Sequence, residues 1–411
     1  MAGNKTVIKN TIMLYGLSMA KILFPIITLP YLTRVLSVPT YGIVTYTRSI
    51  VSYLQLIMDF GFMLSATKDI VEAKRDGREF ETIIGSVLIA QGMLIGISVI
   101  ALIGIVLSIP MLKGYELYVL ISYIPILLST QLFDYVFRGI EKMEIITIRF
   151  VVMKGVSTLL TFLLVKNDSC IMLIPILDIV GSLAAAILVR LELKKLGIRI
   201  RFESISAGVI KLKESFVYFA SNIATTAFGA LNTMIIGICL SSSDVAYWSV
   251  CEQLIGGVQM MYNPLTSGIY PEMIKTRDYN YIRKLLRMFM PIIVAGCIFT
   301  FYVARIALFI VGGENYVGAA YLLRLLIPVL LFSFPGIVFG WPTLGAIGHA
   351  KDVTKTTVTA AIFQITGIGI LIIIDKFNLI TLAVLRCLTE LVLMSSRYYF
   401  VRKFKREFTR K

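Results

Sequence analysis

Charged side chains lie inside the long apolar stretches of this sequence, where they are costly to place. A charge at the centre of a membrane costs about 2.5–3.5 kcal/mol on insertion scales, so it needs a partner, water or a function. Arg48 is the leading candidate for a binding residue, with Lys21 second and Lys154 third. An arginine on a polar helical face, with its nearest acid three turns away, suits an anionic group such as a pyrophosphate. These residues predict a cationic substrate site.

The remaining interior charges allow two interpretations. Arg305 and Arg324 either line the same cationic cavity or extend their side chains towards the outer surface, and the sequence leaves both open. Arg386 and Glu390 are one helical turn apart, a spacing that favours a structural ion pair. Asp134, one turn before Arg138, is expected to be structural as well. None of these patterns resembles a catalytic or metal-binding arrangement.

Polar residues recur at helical spacing on four predicted helices and predict a solvated cleft. In the first half the stripes are Ser18, Lys21, Pro25 and Thr28, then Arg48, Ser52, Gln55 and Asp59. They recur 204 residues later as Asn222, Thr225, Gly229 and Asn232, then Glu252, Gly256, Gln259 and Asn263. Leu36-Ser37 recurs at the same offset as Leu240-Ser241.

The candidates for the polar cleft and for coupling are Glu252, Asp59, Gln55, Gln259, Asn222 and Asn232. For Asp59 the favoured alternative to a coupling role is that it pairs with Lys68 or caps the loop, and Glu252 is the preferred coupling acid.

The elements that must position these residues are membrane-spanning helices. The chain has 411 residues, of which 57% are hydrophobic, and its apolar runs reach the roughly 20 residues that a bilayer requires. We predict twelve spans: 11–36, 41–64, 82–109, 115–137, 145–165, 170–189, 215–240, 245–273, 285–311, 319–347, 354–374 and 379–400. The fold is thus all-α and integral to the membrane, with two six-helix bundles formed by residues 1–200 and 201–411.

Basic residues set the orientation of these spans. Loops on one side, counted together with the adjoining span ends and so including Arg149 and Arg397, carry 30 of the 40 Lys and Arg residues. The other side, counted in the same way, has only Arg34, Lys113, Lys166 and Lys376. Cytoplasmic loops are the ones enriched in Lys and Arg, which places both termini in the cytoplasm. The net charge of +16 is therefore a property of the loops and does not indicate nucleic acid as a partner. The first apolar stretch is too long for a cleavable signal peptide.

The sequence lacks the motifs of an enzyme. There is no G-x-x-x-x-G-K-[ST] phosphate loop, and the single histidine, His349, is expected at the surface. The five cysteines form no CxxC pair, so neither a disulfide framework nor a zinc site is indicated. The prolines and glycines within the spans suit helices that bend as a transporter rocks. We expect a transporter without a bound cofactor.

The first 80 residues resemble the N-terminal signature of bacterial polysaccharide (O-antigen) flippases of the multidrug/oligosaccharidyl-lipid/polysaccharide superfamily. The matching segments are Pro30–Leu36, Tyr41-Gly42, Asp59–Phe62 and Ser65–Ile70, with a weaker match at Phe339–Gly345. The resemblance implies a MATE-like, pseudo-symmetric fold around a V-shaped central cavity. It also implies a substrate, an undecaprenyl-pyrophosphate-linked oligosaccharide that is flipped across the bacterial inner membrane by alternating access, driven by a proton or cation gradient. The role of a cationic cavity residue is carried over from the family only to Arg48, which lies on the second span between the matching segments Tyr41-Gly42 and Asp59–Phe62.

The resemblance also implies the pathway and the partners. These are surface-polysaccharide (lipopolysaccharide) biosynthesis, the lipid bilayer, and the polymerase and chain-length-control proteins of that pathway. The alternative function is a drug or cation antiporter of the same superfamily, which would favour an acidic cavity over Lys21 and Arg48. A membrane polysaccharide polymerase is a third hypothesis, and it would need a large outer loop that the sequence does not contain.

Overall fold

A computed structural model describes residues 2–408, except for the side chains of residues 2–8, 11, 220–229, 263, 264 and 267. This part of the chain is built from helices. They are α1 (Ala2–Val35), α2 (Val38–Asp59), α3 (Phe62–Arg75), α4 (Glu81–Ser108), α5 (Glu116–Ser129), α6 (Asp134–Gly139), α7 (Met143–Leu164), α8 (Leu173–Lys195), α9 (Ile205–Cys239), α10 (Ser242–Met260), α11 (Asn263–Thr276), α12 (Tyr279–Gly312), α13 (Glu314–Val317), α14 (Ala320–Val338), α15 (Ala350–Ile373) and α16 (Leu379–Lys403).

Ten helical segments among the described residues are long and apolar enough to cross a membrane. They coincide with the first six and last four predicted spans. The other two predicted spans fall on α9 and on the pair α10 and α11, which are helical in the structure. Large apolar side chains stay strongly exposed, for example Ile373 at 84% and Leu107 at 78%. Exposed apolar surface on this scale fits a helix surface that faces lipid. The protein is therefore an all-helical, multi-pass membrane protein.

Several helices are interrupted where the sequence predicted continuous spans. Between α2 and α3 the backbone enters the left-handed region at Phe60 (φ 36°) and Gly61 (φ 78°). Only glycine adopts that conformation without steric cost. A Cβ at Gly61 would lie 2.7 Å from Tyr218 Cβ and 2.8 Å from the Phe219 nitrogen, so α9 packs directly against the corner. The Asp59–Phe62 motif is thus a helix break.

A second interruption follows α14, where residues Phe339–Gly345 form a π-helical segment with a non-helical ψ of −121° at Gly340. The buried guanidinium of Arg397 donates to the Gly336 carbonyl at 2.8 Å and to Thr357 Oγ1 at 3.0 Å. Carbonyl groups that a helix break leaves unpaired need such donors within a membrane. Arg397, which we had counted among the cytoplasmic loop charges, therefore supports this break from α16.

The chain divides into two compact units, one ending at Met234 and one beginning at Ile235. In the first unit α7 packs against α8 and α1, and α5 packs against α8 and α2. In the second unit α14 is central and packs against α16, α12 and α10. The helix order repeats: α2 and α10 begin 204 residues apart, at Val38 and Ser242, and α8 and α16 begin 206 apart, at Leu173 and Leu379.

Candidate functional site

Arg48 lies on α2 with its side chain exposed, and its guanidinium makes no ion pair or hydrogen bond to the described side chains. Its charge acts on the Asp178 carboxylate of α8 and on the buried Tyr118 of α5. The packing explains this proximity, because α5 contacts both α2 and α8. The acid near Arg48 is therefore Asp178 rather than Asp59, which sequence spacing along α2 had indicated.

Lys154 and Asp178 form an ion pair between α7 and α8. Lys154 Nζ donates to Asp178 Oδ1 at 3.1 Å, and Ser157 Oγ, one turn along α7, donates to the same oxygen at 2.7 Å. The two charged side chains remain 38% and 28% exposed. A charge that is exposed within a membrane span faces water or other polar groups, since lipid cannot solvate it. Lys154, Asp178 and Arg48 are thus brought together in the first unit.

Lys21 lies on α1, with its ammonium group 5.8 Å from the centre of the Phe150 ring. Its charge acts on Asp59 and Asp134. Asp59 accepts a hydrogen bond from Gln55 Nε2 at 2.7 Å, whereas Lys68 pairs with Glu72 at 3.9 Å. The alternative ion pair of Asp59 with Lys68 is therefore wrong.

Arg149 is an intramembrane charge that sequence reasoning missed. We had counted it among the cytoplasmic loop residues, but it lies within α7, only 4% exposed, and donates to the Asp134 carboxylate. The structural partner of Asp134 is therefore Arg149 rather than Arg138. A hydrophobic flank on both sides, Ile148 and Phe150, was the available signal.

These charges sum to a positive interior in the first unit. The cations Lys21, Arg48, Arg149 and Lys154 face the acids Asp59, Asp134 and Asp178, which leaves an excess of one positive charge. Arg149 is buried and forms an ion pair with Asp134, so the cations available to a ligand are Arg48, Lys154 and Lys21.

The second unit holds a cluster of three charges, the Glu252 triad, made of Glu252 on α10 and Arg386 and Glu390 on α16. Arg386 Nη1 donates to Glu390 Oε1 at 2.6 Å, and Arg386 Nε lies 3.6 Å from Glu252 Oε1. The Arg386–Glu390 pair is the one predicted from spacing. Glu252 Oε1 is buried and makes no hydrogen bond in the described part of the chain. With both acids ionised, the triad carries one surplus negative charge.

The remaining predicted site residues are dispersed. Arg324 donates from Nε to the Phe301 carbonyl at 3.0 Å and lies over the Phe301 ring, so it packs on α12. Arg305 on α12 is exposed and Gln259 on α10 is half-buried. Asn232 is buried on α9, and the Asn222 side chain lies outside the described residues.

His349, which we expected at the surface, precedes α15 and connects it to the C-terminal segment. Its Nδ1 lies 3.0 Å from Asp352 Oδ2 and its Nε2 lies 3.0 Å from Glu407 Oε2, and the ring stacks on Phe404 at 3.6 Å. Burial by itself lowers the pKa of His349, but the hydrogen bonds to Glu407 and Asp352 outweigh it and raise that pKa above its usual value. Two carboxylate neighbours favour the doubly protonated ring.

Solved structures share this architecture. The "Lipid II flippase MurJ, inward closed conformation" superposes with a TM-score of 0.71 at 12% identity, covering 96% of this chain and 87% of that one. A multidrug resistance MATE family transporter of the MOP superfamily, in an inward-facing conformation, gives 0.67 at 13% identity, covering 95% and 99%. The class is therefore a multi-pass membrane protein with the MurJ- and MATE-like fold, and the MATE-like part of that description is what the family resemblance implied.

Within that class, the chain belongs to the polysaccharide biosynthesis protein family, which it matches over residues 7–277. That range includes Lys21, Arg48, Lys154 and Glu252. Among curated relatives, a "Putative O-antigen transporter" of Shigella dysenteriae is 29% identical over 67% of this chain and 70% of its own length. A protein of the same name from Escherichia coli (strain K12) is 24% identical over 97% of both chains.

Proposed function

We propose that this protein is a flippase that moves polyprenyl-pyrophosphate-linked oligosaccharide units from the cytoplasmic to the outer leaflet, for O-antigen or a related surface polysaccharide. The observation that carries the proposal is Arg48, an exposed guanidinium within a membrane span that has no ion-pair partner among the described side chains. A pyrophosphate would supply that partner. Membership of the polysaccharide biosynthesis family and relatives named as O-antigen transporters support the substrate class.

The proposed topology has twelve spans, with α9 as the seventh and α10 with α11 as the eighth. Both termini are then in the cytoplasm of a bacterial inner-membrane protein that transports its substrate by alternating access. Lys21 and Lys154 join Arg48 as phosphate ligands. The polymerase and chain-length-control proteins of the pathway are the proposed partners.

Coupling to a proton or cation gradient is assigned to the Glu252 triad. One guanidinium contacts two carboxylates there, and the charge of Arg397 acts on Glu390 as well. Glu252 therefore has the weaker compensation of the two acids, and a weakly compensated negative charge in a membrane span is costly. Binding one proton or one monovalent cation removes the surplus charge. Glu252 is the natural recipient, since its distance to Arg386 is the longer one.

The antiporter alternative predicts an acidic site for cationic substrates. The excess positive charge around Arg48 and Lys154 favours an anionic head group instead, and the likeness to a MATE transporter concerns the fold alone. A catalytic function has no support from any cluster of reactive groups described above.

The test uses a strain that lacks its own flippase and displays surface polysaccharide only when this protein is supplied. Arg48→Ala is expected to abolish display, and Arg48→Lys to retain part of it, because a lysine supplies charge without the two-pronged geometry. The matched control is Arg190→Ala, which removes another exposed arginine, at the cytoplasmic end of α8. Normal display by Arg48→Ala at wild-type abundance contradicts the proposal.

A further inference from the structure

Asp178 is the acid that Lys154 contacts in the cationic site, and sequence analysis assigned it no role. It accepts two hydrogen bonds on Oδ1, from Lys154 and Ser157. The second oxygen, Oδ2, has no described hydrogen bond. Asp178 is therefore bound on one side only, and it stays 28% exposed.

Two cations converge on this one carboxylate. Lys154 contacts it directly, and the charge of Arg48 acts on it from α2. Two cations without a counter-ion would be expensive within a membrane span, so Asp178 lowers the cost of keeping the empty site charged. Ser157 is only 6% exposed and fixes the carboxylate on α7.

A ligand that carries a diphosphate must compete with Asp178 for Lys154. It brings more negative charge than a carboxylate and several acceptor oxygens. When the ligand leaves, Asp178 can recover Lys154 while remaining bound to Ser157. In the empty site the carboxylate thus replaces the negative charge of the ligand, and in the occupied site it weakens retention of the ligand.

We propose that Asp178 is a positioning residue that holds Lys154 beside Arg48 and competes with the diphosphate of the substrate, so that the ligand is released after translocation. This inference rests on the proposed function, because it assumes that the Arg48 and Lys154 site binds a diphosphate. An acid inside this site thus weakens substrate binding and thereby speeds release.

The test measures binding of farnesyl pyrophosphate to the full-length protein in detergent, with farnesol and inorganic pyrophosphate as comparison ligands. An opposite charge at 4–6 Å commonly changes proton binding by factors of ten or more, so Asp178→Asn is expected to tighten farnesyl pyrophosphate binding roughly tenfold. Surface display in the complementation strain should fall, since release becomes slow. In the Lys154→Gln background the same substitution should have a smaller effect.

Asp168→Asn is the matched control. Asp168 accepts a hydrogen bond from the Ser37 backbone at 2.8 Å and is exposed, so affinity should not change. Asp178→Ser removes the same charge and replaces the asparagine variant if that variant does not fold. Weaker or unchanged binding in a folded Asp178 variant overturns the inference.

The ligand comparison separates this inference from the proposed function. Binding of farnesyl pyrophosphate that is lost in Arg48→Ala supports the function whatever Asp178→Asn does. Failure of the wild type to bind it defeats both. Equal binding of inorganic pyrophosphate would assign the site to free diphosphate rather than to a lipid-linked one.

Discussion

The two carboxylates of the Glu252 triad are expected to respond differently to neutralisation. Glu252→Gln leaves Arg386 with Glu390 at 2.6 Å, which is a short and complete ion pair. Glu390→Gln leaves Arg386 with Glu252, a longer pair at 3.6 Å. Both variants keep side-chain size and remove one negative charge, so they are a matched pair.

The geometry gives the size of the difference. At an effective dielectric constant of about 20, the pair at 2.6 Å is worth about 6.4 kcal/mol and the pair at 3.6 Å about 4.6 kcal/mol. Glu390→Gln should therefore destabilise the protein by about 1.8 kcal/mol more than Glu252→Gln. Arg386→Met should be the worst of the three, because it leaves two buried carboxylates unpaired, at a cost of about 3–5 kcal/mol.

Thermal unfolding in detergent measures the stability order, and transport in vesicles with an imposed pH gradient measures the coupling. Glu252→Gln should fold nearly as well as the wild type and bind farnesyl pyrophosphate, yet lose the stimulation by the gradient. Unchanged gradient dependence in that variant refutes the coupling assignment. Equal stability losses in the two glutamine variants refute the geometric argument.

Three further predictions concern other parts of the fold. Gly61→Ala should lower the unfolding temperature in detergent, since a left-handed alanine costs about 1–2 kcal/mol and its Cβ meets α9; Gly92→Ala, with open space around it, should not. The pKa of His349 is raised. The protonated ring therefore stabilises the docking of residues 404–408 fully below the unfolded pKa of about 6.5, and this stabilisation is lost as the pH rises through the folded pKa. Hydrogen-exchange protection of that segment should fall over the same pH range, and His349→Gln should remove the pH dependence. Reporter fusions should be cytoplasmic at Asp76, Lys195 and Asp278 and external at Lys113, Ser242 and Asn315, and a cytoplasmic signal at Ser242 would contradict the twelve-span topology.

Apolar run length was sufficient to place the helices, because a bilayer imposes that length on every span. It did not predict the breaks within them. The corner at Phe60 and Gly61 depends on left-handed backbone angles and on α9 packing against it. Neither condition leaves a trace in the hydropathy of the segment.

Candidate charges could be found from the sequence, but their partners could not. Spacing along one helix found the Arg386–Glu390 pair. Pairs between helices, such as Lys154 with Asp178 and Arg149 with Asp134, depend on which helices become neighbours. Arg149 was missed for a related reason, since a basic residue near a span end was assigned to the loop.

The corner at Gly61 also bears on how the protein is made. It is completed by Tyr218 and Phe219, and the neighbouring Asp69 on α3 pairs with Lys211. Phe219 follows Gly61 by 158 residues (219 minus 61), which a ribosome adds in roughly 8–30 s at about 5–20 residues per second. During that interval α3 lacks the helix that supports it. The first unit thus cannot finish folding until α9 has been translated, and the glycine corner stays unsupported for that time.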